Sequence, residues 1–125
     1  MIKFLLPLAL GGSLGAVARW LVQQAVDQRW PAAGPFPLGI LVVNGLGCFA
    51  FGLLFGWMDG RAWAGESLRL AIFTGFLGSF TTFATFGWNT LELLRQGQML
   101  LAGANVLGSV ALGLVAVWGG YSLVR

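Results

Sequence analysis

Four apolar stretches, each long enough to cross a bilayer as a helix, decide what this chain can fold into. They run from about Phe4 to Val26, Leu38 to Met58, Leu68 to Leu94 and Met99 to Val124. A transmembrane helix needs ~20 predominantly apolar residues. Lipid offers no hydrogen bonds to the backbone, so spans of this kind close their bonds internally as helices. The reading is an all-α membrane protein forming one domain over residues 1–125. The connections Asp27–Pro37, Asp59–Ser67 and Arg95–Gln98 leave no segment for a soluble domain. The first span follows only Met1, Ile2 and Lys3. It is expected to be a retained helix rather than a removable leader, because no hydrophilic domain follows and its glycines suit packing.

Composition narrows the function classes. Charged residues make up 9% of the chain, against ~25% in soluble domains. One cysteine and no histidine exclude disulfide frameworks and nearly all transition-metal sites. Cys48 lies within an apolar run and is expected to pack as a small residue. The net charge of +3 is spread along the chain, which suits membrane flanks rather than a nucleic-acid surface. With no histidine, embedded carboxylate pair or activated nucleophile, the chain is not expected to be an enzyme.

An even number of spans places both termini on one side. That side would hold Lys3, Arg61, Arg69 and Arg125, and the other Arg29 and Arg95, with Arg19 near the end of the first span. The bias is weak for the positive-inside rule. It fits either one orientation or insertion both ways up. Small-residue pairs four apart predict close helix contacts: Gly11/Gly15, Gly12/Ala16, Gly52/Gly56 and Ser109/Gly113. So small a bundle, with 20 glycines, suggests an oligomer.

The third span carries an unusual run, G-S-F-T-T-F-A-T-F-G from Gly78 to Gly87. Hydroxyls at membrane depth supply hydrogen bonds where water is scarce, and glycine lets the backbone bend. The mixture suggests a path for a small hydrophilic solute, most plainly an ion. Asn44, inside the second span, offers amide donors to such a solute or to a neighbouring helix. Asn105 and Ser109 share a face of the fourth span. Arg19 is the most deeply placed charge, available to snorkel, to pair or to attract anions. Glu92 falls near a span end. Phe76, Phe80 and Phe83 follow helical spacing, which suits packing. Phe83 and Phe86 also flank hydroxyls, and an aromatic ring offers a positive edge to an anion or a negative face to a cation.

Three motifs then identify a resemblance over the whole chain. They are G-G-S-L-G-A-V-A-R-W at Gly11–Trp20, N-G-L-G-C-F-A-F-G at Asn44–Gly52 and G-F-L-G-S-F-T-T-F-A-T-F at Gly75–Phe86. The sequence resembles the small fluoride channels called Fluc or CrcB. The resemblance implies an antiparallel, dual-topology homodimer in a bacterial inner membrane, exporting fluoride passively and so reducing its toxicity. It also implies a broken third helix and a structural sodium ion at the dimer centre. By resemblance, Asn44, Phe83 and Phe86 line the fluoride pore, with Thr82, Thr85 and Ser109 as hydroxyls beside it. Gly78 and Thr81 match positions whose backbone carbonyls hold sodium, in a non-helical stretch expected over Gly78–Thr81. Arg19 matches a first-span arginine whose role the resemblance leaves open, with a vestibule or a structural position as the candidates. The chain departs from the family pattern at Ile40, Phe80, Ala84, Asn89 and Asn105.

Two other readings compete. A four-helix multidrug or cation exporter needs an embedded acid, and the first span has no Asp or Glu. A non-transporting scaffold subunit explains the glycines but not the hydroxyl–phenylalanine run.

Overall fold

The computed structural model describes all 125 residues as helices and short connections. Helix α1 spans Ile2–Arg29 and α2 spans Leu38–Met58. The third crossing is composite. It opens with α3 (Glu66–Arg69), winds as a π-helix over Leu70–Leu77 and closes with α4 (Gly78–Phe80). Helix α5 (Phe83–Arg95) continues it, and α6 (Met99–Val124) is the last crossing. Four of these segments are long and apolar enough to cross a membrane.

Local chemistry sets the ends. Trp30 precedes Pro31 and leaves the helical region, at φ −126° and ψ 64°, because a residue before proline disfavours α geometry. A 3₁₀ turn, Pro31–Ala33, then leads towards α2. Helix α5 stops at Arg95, just before Gly97, whose φ of 75° is the left-handed geometry glycine accepts. There the Gln98 N–H reaches back to the Leu93 carbonyl at 2.8 Å.

Both ends of α2 are held by side chains from other elements. Asp27 of α1 accepts the Gly39 N–H at 3.0 Å, placing a carboxylate at the positive end of the helix. At the other end Arg69 donates to the Met58 carbonyl at 2.6 Å and to the Ala64 carbonyl at 3.1 Å. Arg69 thereby staples the loop that follows α2.

Two parallel helix pairs form the bundle. Gly11 and Gly15 let α1 approach the π-wound segment, where an added Cβ would strike the Ala71 and Phe76 carbonyls. Gly52 and Gly120 bring α2 and α6 together in the same way, against the Val117 and Phe49 carbonyls. Gly56 faces Tyr121 and Val124. Close backbone approach of this kind drives helix association in lipid. Gly12 and Gly113 are looser: a Cβ there would meet only ordinary neighbours, the Ser79 hydroxyl at 3.4 Å and the Cys48 sulfur at 3.5 Å.

The third crossing narrows one expectation. Of the Gly78–Thr81 stretch expected to be non-helical, Gly78–Phe80 is helical, with Gly78 at φ −63° and ψ −33°. The backbone leaves the helix at Thr81 (φ −83°, ψ 154°) and Thr82 (φ −147°, ψ 113°). The helical bond from the Thr81 N–H to the Leu77 carbonyl, 3.0 Å, still forms. The next one does not, because the Thr82 N–H turns to Asn44. The change of direction also separates Phe83 from Phe76 and Phe80. Those two stack at 5.9 Å with Phe80 buried, whereas Phe83 begins a new helix and is 83% exposed.

Candidate functional site

Thr82 organises the centre of the molecule. Its hydroxyl accepts the Thr85 N–H at 3.2 Å, so it acts as the N-cap of α5. The same hydroxyl donates to the Thr85 hydroxyl at 3.0 Å. Its backbone is clamped by one side chain from α2. Asn44 Oδ1 accepts the Thr82 N–H at 2.8 Å, and Asn44 Nδ2 donates to the Thr82 carbonyl at 3.2 Å. This paired amide replaces the lost helical bonds at membrane depth, where an unpaired backbone group would cost several kcal/mol. The second N–H of the Asn44 amide has no part in the clamp.

A cavity of about 260 Å³ opens beside this clamp. Its wall includes Asn44, Thr82, Phe83, Phe86 and Ser109. The Phe83 and Phe86 rings lie 5.5 Å apart, tilted by 38°. Thr85 is one hydrogen bond behind Thr82 rather than on the wall. Cys48, one helical turn beyond Asn44, also lines the cavity. Sequence reasoning gave Cys48 a packing role only; its i+4 spacing from Asn44 was the available signal.

Gly78 and Thr81 lie along a neighbouring groove of about 220 Å³, with Phe73, Leu77 and Cys48. Both have carbonyls deprived of their helical donors. The Thr82 N–H that would serve Gly78 goes to Asn44, and the Thr85 N–H that would serve Thr81 goes to the Thr82 hydroxyl. The intervening Ser79 carbonyl accepts from Arg19 Nε at 3.3 Å. Arg19 thus crosses from α1 to the interruption and holds the Ser79 carbonyl, a partner that the sequence did not name.

Asn105 is buried on α6, at 2% exposure. Its Nδ2 donates to the Thr90 hydroxyl at 3.0 Å, and its Oδ1 accepts from Ser109 at 3.3 Å. Thr90 in turn donates to the Phe86 carbonyl at 2.8 Å. Thr90 was not singled out from the sequence.

Comparison with known proteins places the chain in a family. The family described as CrcB-like protein, Camphor Resistance (CrcB), matches residues 6–121. The chain belongs to the CrcB-like family. Its relatives include the fluoride-specific ion channel FluC of Solibacter usitatus, 46% identical over 123 residues and 98% of each chain. The protein of that name from Nitratidesulfovibrio vulgaris is 43% identical over 94% of each chain. The one from Opitutus terrae is 45% identical over 91% of this chain and 86% of its own length. For this CrcB-like chain, then, relatedness runs through nearly the full length, including all four long apolar helices.

Proposed function

We propose that the chain is a subunit of a fluoride-selective channel in a bacterial inner membrane, passing fluoride out of the cell down its gradient. The observation that carries this reading is the cavity where Asn44, Thr82, Phe83, Phe86 and Ser109 meet beside an interrupted helix. The names of its relatives supply the ion. A channel is not an enzyme, and neither is this chain.

The residues suit a small, strongly hydrated anion. The uncommitted Asn44 N–H offers a donor, and ring edges at Phe83 and Phe86 offer weaker positive charge. Weak donors in series replace lost water contacts without trapping the ion, as a conducting path requires. A narrow path lined by rings also disfavours the larger chloride.

The functional unit in this reading is an antiparallel homodimer with dual topology. Only 18 of the 125 residues are buried in the single chain, and Phe83 is 83% exposed. A second copy would complete the wall on which Phe83 stands. A structural sodium ion fits the donor set at Gly78 and Thr81. Their carbonyls are hard oxygen ligands free of helical donors, and a hard cation prefers such oxygens. Held there, sodium would satisfy the lone pairs of those neutral carbonyls, which have no backbone donor of their own.

The reading is tested by reconstituting the purified protein in liposomes loaded with potassium fluoride. A fluoride electrode should record passive efflux once valinomycin releases the counter-charge. Chloride-loaded vesicles should stay silent. Equal release of both ions, or none of either, would remove fluoride selectivity from the account.

A further inference from the structure

Asn105 is a fully buried polar side chain that does not line the Asn44–Phe86 cavity. Its hydrogen-bond chain has a fixed direction. The Phe86 carbonyl can only accept, so the Thr90 hydroxyl spends its single proton there, at 2.8 Å. The Thr90 oxygen must then accept from Asn105, which turns the amide nitrogen towards it at 3.0 Å. The amide oxygen is left facing Ser109, 3.3 Å away, and the Ser109 hydroxyl must donate to it. The polarity therefore runs from Ser109 through Asn105 and Thr90 to the Phe86 backbone.

This direction has a consequence for the cavity. Ser109 lines the wall, but its proton points away from it, towards Asn105. Lone pairs face the space where a solute would sit. We propose that Asn105 is a positioning residue that withholds the Ser109 proton from the anion path. An anion at Ser109 must first draw the hydroxyl off Asn105, so each visit exchanges one hydrogen bond for another. The site then holds fluoride weakly and releases it readily. Thr90 sets this state from a distance. It lines a separate groove with Leu94, Met99 and Ala102, yet it fixes which end of the Asn105 amide Ser109 meets.

The inference rests on the fluoride-channel reading, and the experiment separates the two. Fluoride efflux from proteoliposomes is measured as a function of internal fluoride for the parent, Asn105→Leu, Thr90→Val, and each of these combined with Ser109→Ala. Failure of the parent to release fluoride speaks against the channel reading itself. With a conducting parent, Asn105→Leu removes the acceptor and frees the Ser109 proton. The half-saturating fluoride concentration should fall roughly fivefold, the worth of one neutral hydrogen bond. Thr90→Val lets the Asn105 amide turn its N–H to Ser109 and should shift it the same way. This variant nearly conserves volume, so it tests the idea even if Asn105→Leu fails to assemble. In the Ser109→Ala background neither change should have further effect. Unchanged half-saturation in Thr90→Val, or shifts that persist without the Ser109 hydroxyl, would overturn the proposal.

Discussion

Asn44 carries two duties that pull in different directions. It clamps both polar groups of the Thr82 backbone, and it presents a spare N–H beside the cavity. Removing the clamp with Asn44→Ala leaves Thr82 groups unpaired at membrane depth. The expected loss of stability is several kcal/mol, since two backbone groups lose their partner, read as a lower unfolding midpoint in detergent. Asn44→Asp keeps an acceptor for the Thr82 N–H but sets a carboxylate beside the path. It should assemble and yet block fluoride efflux; a conducting Asn44→Asp channel would contradict the role given to the spare donor. The sequence marked Asn44 as a polar residue inside an apolar span, which is a local property. It could not show that Thr82, 38 positions later, is its partner. The same limit hid the Arg19 contact with the Ser79 carbonyl and the place of Thr90 between Asn105 and Phe86.

At the scale of elements, the helix count was legible because apolar length is a strong signal. The interruption was less so. The resemblance put a non-helical stretch over Gly78–Thr81, but a glycine permits departure from the helix without requiring it. The departure occurs where bonds are rerouted, at Thr82, and a threonine there, a favoured N-cap residue ahead of an apolar run, was the available signal. The hold on α2 gives a prediction of its own. Asp27→Ala strips the carboxylate from the Gly39 N–H and should cost ~1 kcal/mol, seen as a fall in thermal midpoint that Asp27→Asn largely avoids. The α2–α6 contact makes a sharper contrast. A side chain at Gly120 would run into the Phe49 backbone, whereas one at neighbouring Gly119 meets open space. Gly120→Val should therefore abolish monodisperse protein on size-exclusion chromatography, and Gly119→Val should elute as the parent does. Equal behaviour of the two would show that α2 and α6 do not pack this closely.

For the whole molecule, the question is what covers the exposed faces. Gly78 is exposed, and a Cβ there would meet only the Phe73 carbonyl at an ordinary 3.5 Å. Gly78→Val should thus spare the single chain. If two copies meet at this interruption, it should instead weaken the dimer, measured by crosslinking in membranes. Thr81→Ala should be milder, because the carbonyl proposed to face sodium remains. Dual topology has an independent check in the weak charge bias. With Cys48→Ser as background, a cysteine placed at either terminus should label from both sides of intact cells; labelling from one side alone would exclude antiparallel assembly.

The central claim is that fluoride passes by the Asn44–Phe86 cavity, and the aromatic pair tests it most directly. Phe83→Ile combined with Phe86→Ile keeps apolar bulk and removes both positive ring edges. The measurement is fluoride-electrode efflux from proteoliposomes, with dimer size checked by chromatography on the same preparation. The account predicts a dimer of parental size whose fluoride efflux falls to the level of protein-free vesicles. Efflux at the parental rate from that double variant would contradict it.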